Sequence, residues 1–192
     1  MTTFNCFLLS ALVALVASEC PEIYPRDAWE AARSRDLPVL PIRPATYLIV
    51  HATGTEYCVS RTACAQNLRN IQNFQMTANG WRDISYHFMM AAEYRVYTGR
   101  GWGRLGENVG RFTNQAINVG FIGRYQGANR PTANATNVLN DLIDCGIAEN
   151  ALSRNVRVVA QCQVTPIVSC DDSGIFDWIS EHPRFESNPI PV

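Results

Sequence analysis

The sequence predicts an α/β protein in which a central mixed β-sheet is flanked by helices. Three features lead there. The run TYLIVHAT, β-branched and apolar, lies between proline-rich PVLPIRP and Gly54 and has the composition of a buried strand. Apolar residues then recur near helical spacing at Leu68, Ile71 and Met76. Beyond them, strand-like and helix-like segments alternate with no internal repeat, the pattern of a sheet covered by helices.

Each element follows in order. Residues 1–18, MTTFNCFLLSALVALVAS, form an uncharged apolar run too short to span a bilayer, and small residues at Ala17 and Ser18 suit signal peptidase. This reads as a secretory signal preceding one domain over residues 19–192. The run lacks a basic start, which leaves an uncleaved anchor as the alternative. No second apolar stretch is long enough to span. The first strand ends near His51, and a helix opening near Thr62 is closed by Asn79-Gly80. ISYHFMMAAEYRVYTGR reads as two strands about a turn at Ala92 to Tyr94, and AINVGFIGR as another strand. A helix over Thr132 to Asp144 turns Val138, Leu139, Leu142 and Ile143 inward. NVRVVAQ is the last strand, and SGIFDWISEHP a short helix stopped by Pro183.

The chain has 192 residues and a net charge of -1, with no basic run, which argues against a nucleic-acid binder held by phosphate contacts. All 16 basic residues are arginine, a donor set suited to carboxylates and phosphates. Cys6 lies in the signal. The six others, Cys20, Cys58, Cys64, Cys145, Cys162 and Cys170, are an even number in an oxidising compartment, but their spacing does not choose among pairings. Asn134-Ala135-Thr136 is a glycosylation candidate at Asn134, or an unused sequon.

The series IVHATG, Cys58 and Cys64, IQNFQM, GWRDISYHF, VYTGRGW, INVGFIGRY and DLIDCG resembles the peptidoglycan recognition proteins, in the family's order, from about Tyr24 to Phe185. The resemblance implies the fold of phage-type zinc N-acetylmuramoyl-L-alanine amidases, with a groove for glycan and stem peptide. It implies bridges from Cys58 to Cys64 and from Cys20 to Cys145. Cys162 and Cys170 remain by subtraction, and their pairing is in doubt because Cys162 on an alternating strand would point away from Gln161 and the groove.

Catalytic members of this family hold zinc with two histidines and a cysteine. His51 matches the first ligand and Cys170 the third. Gln161 stands at the second, a neutral carboxamide that binds zinc poorly, and Val168 replaces a threonine or lysine that precedes the cysteine. The expectation is therefore no catalytic residues, no metal and no zinc cofactor. His51 would then be a relic within a satisfied hydrogen-bond network, and Cys170 a disulfide partner or free thiol. Tyr86 matches a tyrosine that orients water or substrate, and it lines the groove in non-catalytic members too.

The resemblance extends to ligand choice. Gly80-Trp81 and Arg100 stand where binders of meso-diaminopimelic stems carry glycine, tryptophan and arginine, the guanidinium pairing with the extra carboxylate. The structural alternatives are a helix cap for Gly80, core packing for Trp81 and a solvated loop position for Arg100. Thr53 and Tyr86 are further polar contacts, while Ala52, Gln75 and Asn108 replace histidines usual in the groove. The implied function is a secreted, extracellular sensor in innate immunity that binds bacterial peptidoglycan or muropeptides through His51, Thr53, Gly80, Trp81, Tyr86, Arg100 and Asn108. Other recognition proteins or immune receptors are its implied partners. The alternatives are a zinc amidase and an interaction protein that no longer binds peptidoglycan.

Overall fold

A computed structural model describes residues 20–92, 94–165 and 168–191. The expected signal segment therefore lies outside the described residues. Strands β1 (Ile23–Tyr24), β2 (Ala45–Ala52), β3 (Phe88–Met90), β4 (Val96–Thr98), β5 (Ala116–Phe121) and β6 (Leu152–Ala160) form one sheet in the order β1-β4-β3-β5-β2-β6. Only the β3 and β4 hairpin is antiparallel, so the sheet is mixed as the sequence predicts. Helices α1 (Arg61–Thr77), α2 (Ala133–Ala148), α3 (Gln161–Val164) and α4 (Gly174–Ser180) accompany it, with 3-10 turns at Arg26–Trp29 and Gly110–Gln115.

Period-two alternation along β2 sends Leu48 and Val50 into one core with Leu139, Leu142 and Ile143 of α2 and Trp178 of α4. A second core gathers Leu68 and Ile71 of α1 with Trp29, Ile84, Met89 and Tyr97. Helix α1 begins at Ser60, whose side chain accepts from the Ala63 backbone N–H. Its inward face is Cys64, Leu68, Ile71, Gln72 and Gln75, with Met76 only half-buried. Met76 thus misses the core, because the i, i+4, i+7 stripe through Leu68 and Ile71 lands on Gln75 instead.

Helix α2 runs a turn beyond the expected Asp144. A Cβ at Gly146 would come within 2.7 Å of Leu152 and 2.8 Å of Trp102, so this glycine lets the last turn pack against the sheet instead of ending the helix. The strand NVRVVAQ stops one residue early, at Ala160, and residues from Gln161 make a single helical turn. Past α4 the chain returns to β6, where Val158 donates to the Arg184 carbonyl at 2.8 Å and accepts from the Glu186 N–H at 3.1 Å. Arg157 pairs with Glu186 at 2.7 Å beside it. Disulfides join Cys20 to Cys145, Cys58 to Cys64 and Cys162 to Cys170. Asn134 is exposed in the first turn of α2.

Candidate functional site

The carboxyl ends of β2 and β5 and the turn after β6 border a groove of about 530 Å³. Its lining includes Ala52, Thr53, Arg124, Gln161, Val168 and Asp172. Beneath it lies His51, the penultimate residue of β2, fully buried and paired in register with Gly120 of β5. Tyr86 packs edge-on against the imidazole at 5.2 Å between ring centres. A Cβ at Gly120 would meet the Tyr86 ring at 3.0 Å, so the glycine in INVGF is what admits this ring. Burial raises the Tyr86 hydroxyl pKa to about 12, and it stays a donor at any physiological pH.

His51 is not a relic in a satisfied network. Neither ring nitrogen has a partner in full hydrogen-bond geometry, and burial lowers its pKa from 6.5 to about 4 against the opposing influence of the Gln161 and Asn118 carboxamides. The imidazole is neutral at pH 7. His87 lies nearby with both nitrogens engaged: Nδ1 accepts from the Asn118 N–H at 2.8 Å, which puts the proton on Nε2 facing the Arg104 carbonyl at 2.7 Å. Burial drives its pKa to about 3.

A zinc ion of the amidase type does not fit these residues. Gln161 does face His51, but it offers only a weak amide ligand, and the Cys170 sulfur is spent on Cys162. Among the described residues no group of three or more His, Cys, Asp or Glu side chains could hold a metal ion. The doubt about Cys162 and Cys170 rested on a strand continuing through Gln161. Helical geometry advances each side chain by about 100° where a strand advances it by 180°, and the helical turn at Gln161–Val164 brings Cys162 to Cys170. Val168 is exposed and forms part of the groove wall.

Arg100 is not the solvated loop residue that the sequence also allowed. Its side chain is 1% exposed. Nε donates to the Ile84 carbonyl at 2.6 Å, Nη1 to Leu105 at 2.5 Å and Nη2 to Asp83 at 3.1 Å, with Glu107 Oε1 3.2 Å from Nη2. The guanidinium holds the loop, and Glu107 is the carboxylate it meets, with a partly exposed side chain. Gly80, with φ of 69°, and the half-buried Trp81 stand on the turn after α1, outside the lining of the groove. Asn108, with φ of 66°, contributes its carbonyl to Thr165 Oγ1. Thr53 lines the groove and accepts from the Gly123 N–H at 3.1 Å.

Sequence reasoning missed the polar scaffold beneath the site. Asp83 is fully buried, accepting from Gln72 Nε2 at 2.6 Å and the Ile84 N–H at 2.8 Å and pairing with Arg26 at 2.9 Å. Arg26 also donates to the Gly99 carbonyl at 2.6 Å, and Gln75 accepts from the Ser85 N–H at 2.7 Å. Gln72 and Gln75 on the apolar face of α1, followed by Asp83 beyond its end, were the available signal. Asp83→Asn strips the charge from one side of a buried pair and should cost about 3 kcal/mol of stability. Urea unfolding would show it, and a loss under 1 kcal/mol would mean that Arg26 finds compensation in solvent.

The sequence profile of the N-acetylmuramoyl-L-alanine amidase family matches residues 41–174. Human peptidoglycan recognition protein 3 is 36% identical over 168 residues, covering 87% of this chain and 48% of that protein, so the chain spans about half the length of this relative. The structure of bumblebee PGRP-SA matches with a TM-score of 0.82 at 31% identity, covering 88% of this chain and 100% of that one. Peptidoglycan recognition protein LE in complex with tracheal cytotoxin, a monomeric diaminopimelic acid-type peptidoglycan, matches with a TM-score of 0.79 at 28% identity, covering 85% and 95%. Among the described residues no helix is long and apolar enough to cross a membrane.

Proposed function

Because this chain belongs to the peptidoglycan recognition protein family, we propose that it is a secreted, extracellular protein of innate immunity that binds peptidoglycan fragments in the groove above His51 and does not cleave them. The observation that carries this reading is a groove kept open while its chemistry is dismantled. Thr53, Gln161 and Val168 line it, and the cysteine that would hold zinc is locked in a disulfide. A neutral imidazole and a protonated tyrosine beneath the floor can exchange hydrogen bonds with a ligand but cannot activate water unaided. Disulfides suit an oxidising compartment.

The proposal extends to diaminopimelic stems. Gly80-Trp81 and the likeness to the tracheal cytotoxin complex support it. With Arg100 buried, the ligand carboxylate must displace Glu107, the longest and most exposed of its contacts. Glu107→Gln keeps an acceptor while removing the competing charge. By calorimetry it should tighten binding of a diaminopimelic muropeptide by about 1 kcal/mol, roughly fivefold, and leave a lysine muropeptide unchanged. Equal gains for both would sink the specificity. No binding of either would favour the interaction-protein reading, and stem-peptide release with excess zinc, abolished in His51→Ala, would restore the amidase.

A further inference from the structure

Asn134-Ala135-Thr136 is the only Asn-X-Ser/Thr triplet in the sequence. The fold puts it in the first turn of α2, where Ala135, Leu139, Leu142 and Ile143 are buried and Asn134 faces solvent. Among the described residues the Asn134 carboxamide has no hydrogen-bond partner, so a group joined to its nitrogen displaces nothing. Thr136 is different. Its hydroxyl accepts from Trp178 Nε1 at 3.0 Å, and Trp178 is a buried residue of α4 that packs edge-on against Phe121 at 5.1 Å between ring centres. A second clasp lies one turn along α2. His182 Nδ1 accepts from the Arg184 N–H at 3.1 Å, which leaves Nε2 to donate to Asn140 Oδ1 at 3.0 Å.

The two ends of the triplet therefore differ in the folded chain: Asn134 is accessible, while Thr136 is held both by the helix and by α4. Transfer of an oligosaccharide to asparagine needs both ends at once, since the carboxamide nitrogen attacks the sugar while the enzyme reads the hydroxyl two residues on. A helical turn closed by Trp178 does not offer that. The order of synthesis opens a window. Trp178 and His182 each follow their α2 partners by 42 residues, and at about 5 to 20 residues per second α2 waits roughly 2 to 8 s for them. Alone, a helix of 16 residues is close to the length at which isolated helices are marginal, and Asn134, Asn137, Asn140 and Gly146 lower its propensity further. The triplet can then lie extended.

We propose that Asn134 carries an N-linked oligosaccharide, attached to the growing chain before α4 docks on α2. The donor is an oligosaccharide on a polyprenyl diphosphate. Asn134 Nδ2 forms a bond to C1 of the first sugar, the bond from C1 to the diphosphate oxygen breaks, the diphosphate leaves, and the nitrogen gives up one proton to the transferase. The proposal rests on export of the chain from the cell. Among the described residues none of α2 lines the groove above His51, so the sugar stands clear of that site.

The test expresses the full chain in secreting cells and treats the exported protein with peptide N-glycosidase in heavy-oxygen water. Mass spectrometry should find labelled aspartate at position 134 in most of it. Asn134→Gln should be exported without the sugar and with an unchanged urea midpoint. Thr136→Val should lose the sugar and also lower the midpoint, since it strands the Trp178 N–H. In a second arm, solubilised microsomal transferase and its lipid-linked donor meet unglycosylated chain, either folded with its disulfides or reduced and alkylated so that it stays open. The open chain should be modified and the folded chain not. Export with a bare Asn134, equal modification of the folded and open chains, or a Thr136→Val midpoint equal to that of the parent would each overturn the proposal. Retention of the chain inside the cell would overturn the secretion on which it rests.

Discussion

Acidification from pH 6.5 to pH 4 should destabilise the folded chain by roughly 5 kcal/mol through His51 and His87. Both imidazoles are buried in neutral form, with pKa values lowered to about 4 and about 3. The unfolded chain takes up protons near pH 6.5, while the folded chain resists them until its own lower values are reached. Stability is therefore unaffected above the unfolded pKa, falls by up to about 1.4 kcal/mol per pH unit per histidine below it, and levels off once the folded groups protonate. Urea midpoints at pH 7.5, 6 and 5, together with imidazole resonances in the folded protein, would measure it. A His51 resonance titrating near pH 6.5 would show that solvent reaches the ring and that the groove floor is open.

Removing the bridge between Cys20 and Cys145 should cost about 5 kcal/mol, whereas removing that between Cys58 and Cys64 should cost about half as much. The difference comes from the unfolded chain: the first bridge closes a separation of 125 residues and the second only 6. Cys145 is buried in α2, so alanine is the replacement that strands no polar group there. Denaturant unfolding of Cys20→Ala with Cys145→Ala should show a lower midpoint and a steeper m-value, since the freed chain exposes more surface when it opens. A lower midpoint with an unchanged m-value would place the loss in native packing.

Local pattern carried most of the architecture. The β2 strand, the α1 start and the β3–β4 hairpin could be read because period and turn chemistry agree there. The two-residue β1 strand could not, because its pairing with β4 is a tertiary event with no periodic trace. At the site, the family resemblance placed His51 and Gln161 together. It could not show that the chain turns helical at Gln161, since one turn of helix has too little period to read against a preceding β-branched strand. The burial of Arg100 was illegible for a related reason. A motif gives an arginine's place in the chain, while its direction depends on which carbonyls lie beside it, and here those belong to Ile84, Asp83 and Leu105.

The return of the chain from α4 to β6 bears on self-association. An outermost strand presents unpaired N–H and C=O groups on which a second molecule can add a strand of its own. On β6 the Val158 groups that face outward are taken by Arg184 and Glu186, and the Arg157–Glu186 ion pair stands beside them. The exposed Arg154 adds an unmatched charge to the same strand. A copy approaching that side meets a pairing point already filled at Val158 and a like charge at Arg154, so strand addition is hindered there by the residues that follow α4.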